Sequence, residues 1–262
     1  MAITRLGSTD RFVEILNGTG AAGNLAAESG WQAGDLDLIA VSWYDNGPGA
    51  TLSTPSGYTR AGSADYTLID ASTKATLFYK VLDGTEGASS IQFSAAAYAN
   101  AVRLTLRGAS ALEIVAGSFD PGTAANGTTV TSPDIAGSAG QMLLCPMYVS
   151  DPATFSTPAD MTAGPWNSGA GTDSLRWFYQ ALSADAGSKS STLSITRNNR
   201  GFALLAQESA AGGDGSASGT TLTATASIVA GAASANAQAG GATLSASASA
   251  IAGSAAGGAG AA

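Results

Sequence analysis

Apolar residues in this chain come in short alternating runs, and Gly, Pro, Asn, Asp and Ser separate the runs. Alternation with period 2 marks strands that bury one face, and the separating residues are turn formers. The pattern predicts strands over 11–16, 36–44, 75–82, 90–95, 101–107, 111–119, 128–131, 141–149, 174–183, 192–197 and 202–207. Turn signals lie between them at Asn46-Gly47-Pro48-Gly49, Pro55-Ser56-Gly57, Asp83-Gly84 and Asn126-Gly127. Only 20–29 and 96–101 have room for a turn or two of helix, and neither carries a 3.6-residue stripe. The alternation predicts a core of Ile39, Val41, Trp43, Leu77, Tyr79, Val81, Phe93, Leu104, Leu106, Ile114, Leu144, Phe178 and Leu204.

The runs also repeat. Strand 37–44, TPSGYT at 54–59, LFYK at 77–80, IQFS at 91–94 and VRL at 102–104 occur in that order. Strand 142–149, TPADMT at 157–162, WFYQ at 177–180, LSIT at 193–196 and FAL at 202–204 follow at offsets between 100 and 106. One such match arises easily by chance, whereas five in order do not. The expected fold is all-β, a jelly-roll-like β-sandwich over 1–210 built from two related halves, roughly 1–110 and 111–210. Two tandem immunoglobulin-sized domains are the alternative, disfavoured because a strand at 111–119 leaves no linker between the halves.

The pattern stops after Glu208. A glycine-rich hinge over 211–218 leads into two 22-residue units at 219–262, GTTLTATASIVAGAASANAQAG and GATLSASASAIAGSAAGGAGAA, identical at eleven positions. Their only large apolar residues are Leu222, Ile228, Val229, Leu244 and Ile251. Burial energy scales with apolar area, so these units cannot build a core of their own. They are either an unstructured linker or a stalk ordered by close packing of small residues on other copies.

Net charge is −8 with 11% charged residues. An acidic surface disfavours nucleic acid and anionic membranes, both of which select for Lys and Arg. No window has the apolar length of a membrane span, and no secretory signal is visible at the start of the sequence. The chain has no histidine, so the commonest general base and metal ligand are missing. Cys145 is the single cysteine, sits in the run MLLCP and is expected to be a buried thiol. Asp35 and Asp37 share a strand face and could hold Ca²⁺, but a soluble strand edge explains them more simply. Neither a phosphate-cradling loop nor a nucleophile elbow occurs, and no serine is paired with Lys74, Lys80 or Lys189. No catalytic residue, cofactor or metal is therefore expected. Trp31, Tyr58 and Trp166 lie in Gly/Pro/Ser-rich stretches, where aromatics serve either as glycan-stacking platforms or as plugs for the sandwich ends.

Gly30-Trp31 with Gly34-Asp35, then TPSGYT at 54–59, then LFYKV at 77–81 with DGTE at 83–86, resembles tailed-bacteriophage virion proteins of the minor tail and tail-fibre kind. The stretches 191–195 and 201–206 are similar to the end of that globular module, and GATLSASASAIAGSA to the repeats that follow it. Gly108-Ala109-Ser110 departs from the usual Gly-Val-Asp. The resemblance implies a non-enzymatic virion component, assembled in the bacterial host cytoplasm. It further implies an oligomer, and the expectation drawn from it is a homotrimer that joins other virion proteins and touches host surface glycans. A capsid decoration protein or head fibre, a bacterial carbohydrate-binding module and a polysaccharide depolymerase are the alternatives.

Overall fold

The computed structural model describes residues 2–208 except 8–9, 16–21, 46–48, 63–64, 69–72, 96, 114–118, 168–172 and 186. The expected hinge, both repeats and Ile114 lie outside the described residues, as does most of the expected strand over 111–119. Among the described residues the chain is all-β, without helix. The first half contains β1 (Thr4–Arg5), β2 (Arg11–Ile15), β3 (Ala22–Leu25), β4 (Leu36–Asp45), β5 (Thr59–Arg60), β6 (Tyr66–Thr67), β7 (Thr73–Val81), β8 (Ser89–Gln92) and β9 (Ala97–Arg107). The second contains β10 (Ala109–Glu113), β11 (Ala125–Thr131), β12 (Gln141–Val149), β13 (Thr162–Asn167), β14 (Ser174–Ala181), β15 (Ser190–Gly201) and β16 (Leu204–Glu208). The two segments with room for helix are instead occupied by β3 and the start of β9, because cross-strand pairing overrides their alanine content.

Two seven-stranded antiparallel sheets result, one ordered β1-β9-β4-β7-β5 and the other β10-β16-β12-β14-β13, with β3 and β8 as a separate pair. Their registers repeat. Leu38 faces Tyr79 on one side and Leu104 on the other, and Leu144 likewise faces Tyr179 and Leu204. Thus β1 matches β10, β2 and β3 match β11, and β4 matches β12. β5 and β6 match β13, β7 matches β14, and β8 with β9 matches β15 with β16. Loops repeat as well: Gly34 N–H bonds Leu82 O at 2.8 Å, and Gly140 N–H bonds Leu182 O at 3.3 Å. One alignment needs correction. The bridges Leu52–Phe93 and Phe155–Leu193 make Phe93, not Ile91, the counterpart of Leu193.

The two sheets pack through equivalent faces. Leu36, Leu38, Leu77, Val102, Leu104 and Leu106 of the first meet Met142, Leu144, Trp177, Phe202, Leu204 and Ala206 of the second in one buried cluster. Trp177 Nε1–H crosses it to Val102 O at 3.1 Å. Ile39, Val41 and Trp43 belong to a second cluster, on the opposite face of β4, and Leu143, Cys145 and Phe178 to a third beyond β12. The expected core residues therefore divide among three layers rather than one. Val81, expected inside, is 45% exposed although it faces Leu36 of β4, because β5 pairs with β7 only at Phe78 and Tyr79 and leaves the other side of Val81 open. Gly108, with φ +82°, separates β9 from β10, so one glycine carries the chain from one sheet to the other.

Two expectations follow. Tyr58 N–H bonds Pro55 O at 3.0 Å and Met161 N–H bonds Pro158 O at 3.3 Å, closing the same turn in each half. Its third residue has positive φ, supplied by Gly57 (+78°) and by Asp160 (+62°). Asp160→Ala should lower stability by about 1 kcal/mol and Asp160→Gly should not, as read from urea denaturation midpoints. Cys145 is fully buried, and burial pushes its thiol up to about 12. A thiol-specific reagent should leave the native protein unlabelled and modify Cys145 only at the rate of global unfolding.

Candidate functional site

Charged residues inside apolar strands need partners, because an unpaired buried charge is far costlier than an unpaired neutral group. Asp37 on β4 and Arg103 on β9 are both fully buried, with Nε and Oδ2 3.2 Å apart. The Asp37 carboxylate also accepts the Thr105 hydroxyl at 2.8 Å and the Tyr58 hydroxyl in a short bond. Arg103 donates to Leu25 O at 3.2 Å, Ala26 O, Ser89 Oγ and Tyr58 Oη. Burial drives the Asp37 carboxyl above its ordinary value, opposed by Arg103 and by the two hydroxyls. Burial, and then the Asp37 charge, likewise raise the Tyr58 hydroxyl.

Two further arginines hold the segment that leads into β4. Arg107 grips Asp35 bidentately at 2.9 and 2.8 Å and donates to Gly30 O at 2.7 Å. Arg11 bonds Glu28 at 3.3 Å. Trp31, on this segment, lies 4.8 Å from the Arg103 guanidinium. Asp35 and Asp37 thus each face an arginine, and Asp35 also accepts Gln32 N–H at 2.9 Å. Among the described residues no three acidic or thiol side chains cluster as a metal site would require.

The repeated strand registers show how unusual this constellation is. Strand register and turn spacing place Leu143, Leu205, Ala203 and Met161 where the first half has Asp37, Thr105, Arg103 and Tyr58. All four are buried in the third cluster. Gly137 stands where the first half has Trp31, and a Cβ there would come within 2.3 Å of Leu182. One half fills the space with hydrocarbon and the other with an ion pair, two hydroxyl donors and an indole.

The structure brings Trp31 and Tyr58 together around Arg103 and leaves Trp166 on the other sheet. All three are half-buried. Trp166 belongs to a strand, not to a loop: β13 runs through Gly164-Pro165, pairs with β14, and shifts register between Ala163 and Trp166. Glycine and proline hid it, since both are tolerated at a bulged edge. Arg103 and Arg176 escaped sequence reasoning. The available signal was a charged residue within an otherwise apolar strand, as in DLIAVSW at 37–43 and AVRLTL at 101–106.

A second polar cluster joins the sheets. Ser42 donates to the Asp173 carboxylate and Asn100 to Asp173 O. Asn167 donates to Asn100 Oδ1 at 3.1 Å and to Glu14 Oε1 at 2.9 Å. An open cleft of about 350 Å³ is lined by Asp120, Gly122, Thr123, Thr131, Ser132 and Pro133. Its one carboxylate, Asp120, is taken by Gly122 N–H at 2.7 Å. Among the described residues no helix is long and apolar enough to cross a membrane. No known protein family matches the chain, and comparisons with curated proteins and with solved structures find no match either.

The ion pair sets the energetics of this region. Arg103→Ala alone should cost about 3–5 kcal/mol, because Asp37 stays buried and uncompensated. Asp37→Leu combined with Arg103→Met should cost less than either single change, as measured by guanidinium denaturation. A strictly additive double-mutant cycle would contradict the assignment.

Proposed function

We propose that this chain is a structural component of a bacteriophage virion, a tail fibre or minor tail protein that works by assembly and not by catalysis. Residues 1–210 form a jelly-roll-like head of two related halves. The hinge over 211–218 joins it to a stalk of two repeats at 219–262, which packs against other copies in a homotrimer. The head joins other virion proteins and touches host surface glycans through Trp31, Tyr58 or Trp166. The protein is made in the host cytoplasm and acts in the particle, without cofactor or nucleic acid.

The observation that carries the reading is the tail. Two 22-residue units free of charge and of aromatic side chains gain stability only by close packing against neighbours. The head agrees with it. Its buried acids Asp35, Asp37 and Glu28 each face an arginine and a fourth, Asp173, accepts the Ser42 hydroxyl between the sheets, which leaves them to hold the fold rather than to exchange protons with a substrate.

Multi-angle light scattering tests the reading. Full-length protein should be trimeric, and protein ending at residue 211 should be monomeric with unchanged near-UV circular dichroism. A monomeric full-length chain whose tail is removed at once by protease would refute the stalk. Electron microscopy of the intact particle then places the chain on tail or capsid.

A further inference from the structure

A guanidinium covers the same buried phenylalanine in each sheet. Arg60 lies 5.3 Å from the Phe78 ring and Arg176 lies 5.5 Å from the Phe178 ring. The two cations come from different strands. Arg60 faces Phe78 as Ala163 faces Phe178, so Arg60 has alanine as its counterpart, while Thr76 is the counterpart of Arg176.

In the first half the cation is neutralised internally. Arg60 bonds the Asp65 carboxylate and donates to Leu52 O at 2.7 Å, and Thr76 also donates to Asp65. Tyr66 faces Ala75 as Asn167 faces Leu175, so the position matching Asp65 is Trp166. The indole ring stands 5.4 Å from the Arg176 guanidinium. A ring face attracts a cation but leaves its N–H fork without oxygen acceptors.

Arg176 is thus set apart from most arginines of the chain. Arg5, Arg11, Arg60, Arg103, Arg107 and Arg197 each have a carboxylate at ion-pair distance. Among the described residues Arg176 has none, and its Nε is buried without a hydrogen-bond partner. Asp10, whose charge reaches it, is bonded to Arg5 at 3.0 Å. Arg200 also lacks an acid and its Nε is likewise buried without a partner, but the ring beside it, Tyr66, packs into the shared core. Arg176 instead borders a half-buried tryptophan on an edge strand.

We infer that Trp166 and Arg176 form a subsite for an acidic sugar, the indole stacking on the C–H face of the ring and the guanidinium taking the carboxylate. That carboxylate does for Arg176 what Asp65 does for Arg60. The fork geometry of arginine suits a planar carboxylate, and its charge persists at every physiological pH. The inference rests on the reading of the head as a glycan-contacting module.

Isothermal titration of the full-length protein with methyl α-D-galacturonoside, and with neutral methyl α-D-galactoside, tests it. The acidic glycoside should bind at least about tenfold more tightly, with affinity falling as salt rises. Arg176→Gln should remove that preference, Trp166→Ala should weaken both glycosides, and Arg176→Lys should retain part of the preference. The wild-type comparison needs no variant, so a misfolded Arg176→Gln leaves the test intact. Equal binding of the two glycosides, lost in Trp166→Ala, would overturn the acidic subsite and leave glycan contact standing. Binding of neither at millimolar concentration would overturn both.

Discussion

Burial of both faces of the two central strands is the constraint on which the structure depends. β12 is buried along its whole length and β4 as far as Trp43. An ordinary sandwich strand sends alternate residues to water. Here alternate residues go to different cores: Leu36, Leu38 and Ala40 to the shared layer, Ile39, Val41 and Trp43 to the outer one. Each sheet therefore needs a cover on its far side. In the first half β3, β8 and the segment around Ala50, Leu52 and Tyr58 provide it. In the second, Val130, Ala153, Phe155 and Met161 do the same.

The shared layer uses one face twice. Leu38, Leu77 and Leu104 are met by their own counterparts Leu144, Trp177 and Leu204. Equivalent faces of the two sheets thus line one shared layer. The outer layers carry no such self-complementarity, and there the halves diverge. Asp37 and Arg103 are balanced only as a pair, because either one alone would be an uncompensated buried charge. The fully apolar set in the second half solves the same packing problem without charge. The cation over Phe78 or Phe178 is a second divergence, closed by Asp65 on one side and by an indole on the other.

Much of this was legible along the chain. Alternating runs located most of the long strands, and the shared offsets of TPSGYT with TPADMT and of LFYK with WFYQ follow the same spacing as the strand registers. Short edge strands were not legible. β5 and β6 are two residues long, and β13 contains Gly164-Pro165, so neither shows a period. The candidate site was half legible. Trp31, Tyr58 and Trp166 stood out as aromatics among small residues, but Arg176 lies ten residues from its partner Trp166, and Arg103 lies more than forty from Trp31 and Tyr58. No local pattern links residues that meet only through strand pairing.

The sequence by itself determined the strand class, the internal repetition and the break at the end of the globular part, because each is a property of neighbouring residues. Period-2 alternation, recurrent turn signals and loss of side-chain volume can all be counted along the chain. Only the tertiary structure decided that the apolar positions belong to three layers, that Asp37 finds Arg103, and that Trp166 takes the place of Asp65. Those outcomes depend on which strands become neighbours and in what register. A shift of one residue would exchange the faces of every strand, and that choice is made by the sum of long-range packing.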